Sequence, residues 1–139
     1  MAENIFLEVV TPSKAVVSEE AQIVVAPGSE GEFGVLKGHT TFLTSLKLGT
    51  LRYKDSSGHD RAVFISGGFA EVLPNKVTVL AESAERRKDI DVDRAKKAKE
   101  RAEKRLSSAG GGVPADIDFV RAEAALRRAI HRLSIKGVA

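Results

Sequence analysis

The sequence contains no cysteine. Disulfide bonds, a thiolate nucleophile and a cysteine-based zinc site are therefore excluded. Long apolar runs are also absent, and no window approaches the roughly 18 apolar residues of a membrane-spanning helix. The first residues lack the basic region and apolar stretch of a secretory signal, so we expect a soluble, cytoplasmic protein.

Charge is divided unevenly along the chain. Residues 1–84 carry 7 Lys and Arg against 10 Asp and Glu, whereas residues 85–139 carry 15 against 9, and the whole chain has a net charge of +3. Such an asymmetry predicts two modules with different partners. We place the boundary between residues 1–84 and residues 85–139.

Nine short runs in the first module have the composition of β-strands and are separated by turn-forming residues. Around Leu51 and Tyr53, apolar residues alternate with Arg52 and Lys54, as in a strand with one buried face. The short turns leave no room for crossover helices, which favours antiparallel pairing in a sandwich or barrel. The predicted strands are residues 4–10, 14–17, 21–26, 31–36, 42–46, 50–54, 61–66, 69–73 and 76–81.

The second module has helical periodicity. Apolar residues at three-and-four spacing predict one helix over 91–107 and another over about 116–134, separated by a glycine-rich break at 107–114. Asp89 and Asp91 lie where an N-cap and a first-turn acid stabilise a helix. The seams between these helices are rich in alanine, which buries few methylene groups, so we expect an antiparallel hairpin that is able to open.

Five motifs in register resemble one known family. They are Gly28-Ser-Glu-Gly-Glu-Phe-Gly34, Gly38-His39, Ser66-Gly-Gly-Phe-Ala-Glu-Val72, Val77-Thr-Val-Leu-Ala-Glu82 and Ile90-Asp-Val-Asp-Arg-Ala95. Together they resemble the epsilon subunit of F-type, bacterial-like ATP synthases over about 80% of the chain. The resemblance implies an antiparallel β-sandwich of about ten strands followed by a C-terminal two-helix hairpin.

The resemblance also implies a role and a set of partners. It implies a non-catalytic subunit of the proton-translocating enzyme, on the cytoplasmic side of the inner or plasma membrane, associated with the membrane only through the complex. Its sandwich would contact the gamma subunit and the c-ring, and an extended helical arm would reach the alpha and beta subunits and obstruct ATP hydrolysis. The implied partner-contact residues are Ser29, Glu30, Gly31, Glu32 and His39, with His39 at the same end of the sandwich as the acidic turn.

Four arginines in the second module suggest an anion site. Arg94 and Arg101 are two helical turns apart, and Arg128 and Arg132 are one turn apart, so each pair shares a helix face. A closed hairpin that brings these guanidinium groups together requires an anion between them, and arginine is suited to phosphate. Family members that resemble thermophilic forms bind ATP here as a regulatory ligand. The matching ATP-binding positions are Glu85, Ile90, Asp91, Arg94, Ala95, Arg101, Arg128 and Arg132.

Two other functions remain open from the residues alone. The basic helices are compatible with a nucleic-acid-binding protein, although Phe119 is their only aromatic residue and no stacking platform accompanies the charge. A free-standing nucleotide-binding module is the second alternative. Neither a phosphate-binding loop ending in Gly-Lys-Ser/Thr nor metal-ligand spacing of His39, His59 and His131 is present, so we expect no catalysis by the chain alone and no essential metal.

Overall fold

The computed structural model describes residues 3–108 and 119–138. The chain forms two compact units, Met1–Asp89 and Ile90–Ala139. Within the described residues, neither helix is long and apolar enough to cross a bilayer.

The first unit is a sandwich that contains nine strands within the described residues. Eight ladders are antiparallel, and the ladder between β1 and β8 is parallel. The strands are β1 Ile5–Val10, β2 Ala15–Gly28, β3 Gly31–Val35, β4 Phe42–Leu46, β5 Gly49–Asp55, β6 Asp60–Ile65, β7 Gly68–Leu73, β8 Lys76–Ala81 and β9 Ala84–Arg86.

Strand β2 joins the two halves of the sandwich. Its first half pairs with β1, which continues through β8 and β7 to β4, and its second half pairs with β3 and with β5, which continues through β6 to β9. The register with β5 shifts between Ala21 and Ile23, and such an irregularity bends a strand. The predicted strands 14–17 and 21–26 are therefore parts of one 14-residue strand.

The sandwich core follows the period of two along the strands. In β1, Ile5, Leu7 and Val9 are fully buried while the residues between them are half-buried. Strands β7 and β8 contribute Ala70, Val72, Val77, Val79 and Ala81 in the same way. These β-branched and aliphatic side chains suit a pleated surface with one buried face.

One glycine of the Ser66-Gly-Gly motif has a clear structural reason. Gly68 has a φ of 139°, and a Cβ atom at this position would lie 2.0 Å from the carbonyl oxygen of Leu80. No other residue type fits without moving β8. The motif is thus explained by close strand pairing at the start of β7.

A short 3₁₀ helix, Arg87–Asp89, ends the first unit. The second unit contains two packed helices of 17 residues, α1 Val92–Ser108 and α2 Phe119–Ile135. Asp91 caps α1, because its Oδ1 accepts a hydrogen bond from the amide of Arg94 at 3.0 Å. At the end of α2, the amide of Gly137 donates to Ser134 and that of Val138 to Leu133, and the φ of Gly137 is 73°. This pattern is the Schellman motif.

The predicted fold class is confirmed. A sandwich of many antiparallel strands precedes an antiparallel pair of helices, with nine described strands where about ten were expected. Strand β9 was not predicted. It pairs antiparallel with β6, with Val63 opposite Arg86 and Ile65 opposite Ala84. The predicted break at 107–114 begins too early, because Ser107 and Ser108 still belong to α1, and its remaining residues lie outside the described ones.

Candidate functional site

The acidic turn is a tight connection between β2 and β3. Ser29 and Glu30 link Gly28 to Gly31, whose φ of 133° is a conformation that favours glycine. The amide of Ser29 donates to the carbonyl of Ser45 at 3.0 Å, and the Ser45 hydroxyl donates to Ser29 Oγ at 2.7 Å. The turn is therefore held against β4.

The two carboxylates of this turn have different surroundings. Glu32 accepts two hydrogen bonds from Nη2 of Arg52 on β5, both at 3.0 Å. Glu30 is exposed, and it makes no ion pair with any residue that the structure describes. Only Glu30 therefore presents a carboxylate without an internal cation.

His39 lies apart from the acidic turn. Its Nδ1 donates to the carbonyl oxygen of Thr40 at 2.8 Å, and its ring centroid is 5.2 Å from that of Phe42 at the start of β4. Ser29 contacts the other end of β4, at Ser45. The expectation that His39 and the acidic turn share one end of the sandwich is wrong, because strand β3 runs between them and separates them by roughly the length of a short strand.

The structure shows an exposed apolar patch next to the acidic turn, formed by Leu43, Phe69 and Leu80. These side chains are 71%, 57% and 56% exposed, respectively. Phe69 on β7 lies opposite Leu80 on β8 and opposite Ser45 on β4. These three cross-strand neighbours connect the apolar patch to Ser45, which bonds the acidic turn. Sequence reasoning missed this patch, although the phase of β7, in which Ala70 and Val72 are buried, would have placed Phe69 on the outer face.

The proposed nucleotide residues are divided between the units. Glu85 lies in β9 opposite Phe64, within the sandwich. The other seven positions lie in the second unit. Ile90 and Ala95 are buried, with 4% and 3% exposure, and Asp91 is occupied as the helix cap. In this conformation the two apolar positions are not open to an adenine ring.

The four arginines lie along one edge of the helix seam. Arg94 and Arg101 directly precede the buried Ala95 and Ala102, and Arg128 and Arg132 directly precede the buried Ala129 and Leu133. Successive residues of a helix are 100° apart, so each arginine is rotated to the same side of its seam. Arg94 and Arg101 are exposed, and Arg128 and Arg132 are half-buried.

Three of these guanidinium groups have no anionic partner among the residues that the structure describes. Within residues 3–108 and 119–138, no ion pair involves Arg94, Arg101 or Arg128. The nearby Arg127 differs, since it bonds Glu123 at 2.8 Å on the same helix. The arrangement is suited to an anion with several oxygens.

Two family models match the chain in succession. Residues 4–87 match the β-sandwich domain of the ATP synthase delta/epsilon chain, and residues 88–137 match the long α-helix domain of the same chain. A protein named ATP synthase epsilon chain from Desulforapulum autotrophicum is 73% identical over 135 residues, which are 97% of both chains. Another from Nitratidesulfovibrio vulgaris is 55% identical and covers 99% of this chain and 98% of its own.

Solved structures agree with these matches. A chain of the Euglena gracilis mitochondrial ATP synthase, determined with OSCP, F1 and c-ring, has a TM-score of 0.75 and 26% identity, covering 94% of this chain and 80% of that one. A chain from the central stalk and c-ring of the Tetrahymena thermophila enzyme shares the fold, with a TM-score of 0.60 at 16% identity and coverage of 96% and 97%. The fold and the matched domains define a subunit of an ATP synthase. The chain belongs to the family of ATP synthase epsilon chains.

Proposed function

We propose that this chain is a non-catalytic rotor subunit of a proton-translocating ATP synthase, with a sandwich that docks on the gamma subunit and the c-ring and a helical arm that senses ATP and restrains hydrolysis. The complex would hold it at the cytoplasmic side of the inner or plasma membrane. Family membership supports the subunit role, and the geometry of the two units supports the division of labour.

The docking role is supported by the surface around the acidic turn. The exposed apolar patch and the exposed carboxylate of Glu30 are joined through Ser45 and Ser29. Apolar side chains at the centre of an interface and charges at its rim are the usual arrangement in protein complexes. The similar chains of known structure come from assemblies described as F1 with c-ring and central stalk with c-ring.

The single observation that supports the ATP-sensing role is that Arg94, Arg101 and Arg128, beside a closed seam, form no ion pair within the part of the chain that the structure describes. Three guanidinium groups repel one another unless an anion lies between them. A triphosphate offers oxygens for their planar forks. Arg132 belongs to the same edge.

The compact hairpin is the state that ATP would select. A ligand that binds one state stabilises it by RT ln(1 + [L]/Kd), so abundant ATP favours the closed helices. Depletion of ATP would release the arm to extend toward the alpha and beta subunits and obstruct hydrolysis. Because Ile90 and Ala95 are buried, we infer that the phosphates bind first and that adenine contacts need a local shift near Asp91.

Calorimetric titration of the isolated chain with ATP tests the sensor. Arg94→Ala and Arg128→Ala should each weaken binding about tenfold to a hundredfold, since a hydrogen bond to a charged group contributes about 1.5–3 kcal/mol. Lys96→Ala is the matched control, because Lys96 is exposed on α1 away from the arginine edge. We expect the control to bind ATP as the unchanged chain does.

The same variants in the assembled enzyme connect binding to regulation. If ATP holds the arm closed, Arg94→Ala and Arg128→Ala should make hydrolysis more strongly inhibited at millimolar ATP. Relief of inhibition would instead mean that these arginines act in the extended arm, against the catalytic subunits. Unchanged ATP affinity in both variants would refute the sensor and leave a purely inhibitory arm.

A further inference from the structure

The two helices carry the same sequence pattern. Residues 94–106 and 121–133 align without a gap, and seven of their thirteen positions are identical. The shared pattern is Arg-Ala-x-x-Ala-x-x-Arg-Ala-x-x-Arg-Leu. In each helix it begins at the third residue and ends two residues before the last.

Burial follows this repeat. The first alanine is 3% exposed in both copies, as Ala95 and Ala122, and the third is 3% and 0% exposed, as Ala102 and Ala129. Equivalent residues of the two helices therefore face the same seam. The hairpin is built as an approximate twofold-symmetric pair.

The repeat contains three arginines in each helix, two of which were described above. The third is Arg105 in α1 and Arg121 in α2. Arg105 precedes the half-buried Leu106, and Arg121 precedes the buried Ala122, as the other arginines precede their seam residues. In an antiparallel pair the twofold axis is perpendicular to the helices, so residues on the same rotational side of both seams share one face of the hairpin. We name this surface the arginine face: Arg94, Arg101, Arg105, Arg121, Arg128 and Arg132.

The acidic residues of the described helices point away from the direction of the arginines. At 100° per residue, Asp93 and Glu100 are about 80–140° from the arginines of α1. Glu103 on α1 and Glu123 on α2 are about 140° or more from the arginines of their own helix. Phe119, the one aromatic residue of the described helices, is also turned away. The arginine face thus combines concentrated positive charge with no stacking platform, which favours bare phosphates over nucleic-acid bases.

The face is longer than the site proposed for ATP. With a rise of 1.5 Å per residue, Arg94 and Arg105 are about 16 Å apart along α1. Arg105 near the end of α1 and Arg121 near the start of α2 lie at the connected end of the hairpin. They extend the charge beyond Arg94, Arg101, Arg128 and Arg132.

We propose that the arginine face is one continuous surface for condensed phosphates, in which Arg105 and Arg121 bind phosphates beyond those of a triphosphate. Its ligand class is a linear polyphosphate chain, of which the triphosphate of ATP is the short case. The proposal rests on the ATP site and extends it. Planar guanidinium groups at regular spacing match a chain of repeated phosphate oxygens.

Calorimetry on the full chain at constant ionic strength tests this extension, with ATP, tripolyphosphate and a medium-chain polyphosphate as probes. The unchanged chain should bind the longer polyphosphate at least about tenfold more tightly than tripolyphosphate. The double variant Arg105→Gln/Arg121→Gln should lose most of that preference while its affinities for ATP and tripolyphosphate stay within about twofold. Arg105→Gln alone should lose part of it, and circular dichroism checks that the helices persist.

The matched control is Lys96→Gln/Arg127→Gln, which removes two positive charges from the same helices at exposed positions off the arginine face. It should keep the preference for the longer chain. An equal loss in the control would overturn the proposal, as would an unchanged preference in the double variant or equally tight binding of a single-stranded oligonucleotide of the same charge. If ATP fails to bind the unchanged chain while polyphosphate binds as expected, the sensor is refuted and the arginine face stands.

Discussion

The sandwich and the helical hairpin bury different kinds of side chain. The core of the sandwich consists mainly of valine, leucine and isoleucine, many of them fully inaccessible, whereas four of the five buried residues described in α1 and α2 are alanines and the fifth is Leu133. Each additional buried methylene contributes about 0.8 kcal/mol, so the sandwich has the larger store of hydrophobic stabilisation. One chain therefore combines a strongly stabilised β-sandwich with a weakly stabilised pair of helices.

This difference fits the proposed division of labour. A surface that transmits torque needs a scaffold that does not deform, and tight strand pairing supplies it. An arm that changes state needs two arrangements separated by only a few kcal/mol, because a ligand shifts an equilibrium by no more than its difference in affinity. An alanine seam keeps that separation small.

The largest effect should come from truncating one leucine in each unit. Leu7→Ala removes a fully buried side chain from β1, between β2 and β8, and should destabilise the sandwich by about 2–5 kcal/mol. Leu133→Ala removes the one fully buried leucine between α1 and α2. The expected loss of stability is similar, and because the remaining buried alanines contribute less than that, the helical hairpin should unfold.

Thermal unfolding followed separately by helical and β circular dichroism signals checks this pair of variants. Leu7→Ala should move the β transition, and Leu133→Ala should abolish much of the helical signal with the β transition in place. If both signals move together in either variant, the chain unfolds as one cooperative body and the contrast between the units is wrong.

Local pattern predicted most of the strands and both helices, and the departures have identifiable causes. The predicted strands 14–17 and 21–26 leave out the polar residues 18–20, which continue β2 because a polar segment can still pair with β1 through its backbone. Strand β9 has three residues, too few for a periodic signal, and it forms because β6 offers an edge. Such pairings depend on contacts distant in sequence.

The candidate site shows the same limit. The arginine edge was predictable because helix geometry fixes which neighbours face each other. The cap was misplaced, since Asp91, expected as a first-turn acid after a cap at Asp89, is itself the cap of a helix that begins at Val92. The pairing of Glu32 with Arg52 and the distance between His39 and the acidic turn depend on how strands assemble. Sequence spacing alone did not contain that information.

A pH titration sharpens the comparison between the units. Burial lowers the pKa of His131 on α2, because desolvation disfavours the charged imidazolium. The unfolded chain therefore binds a proton more readily than the folded chain. The hairpin has its full stability at a pH above the pKa of the unfolded-state histidine, and it loses stability as the pH falls from about 7 toward 5.

Helical melting temperature measured across this range should therefore fall with acid in the unchanged chain and fall less in His131→Gln. His59→Gln is the control, since His59 lies in the β5–β6 turn of the sandwich. A helical melting temperature that depends on pH equally in all three proteins would show that His131 is not the titrating group.

The smallest effect on stability is expected at the ion pair between Glu32 and Arg52. Both side chains are about half exposed, at 54% and 56%, and exposed ion pairs contribute less than about 1 kcal/mol. Glu32→Gln should lower the free energy of unfolding by that amount or less, and added salt should reduce the difference.

The charge swap Glu32→Arg/Arg52→Glu rebuilds the internal pair while it reverses the charges presented to a partner. Coupling between hydrolysis and proton pumping in the assembled enzyme then separates the roles: a docking carboxylate leaves the swap as defective as Glu32→Arg, whereas full rescue by the swap would assign Glu32 to the fold alone.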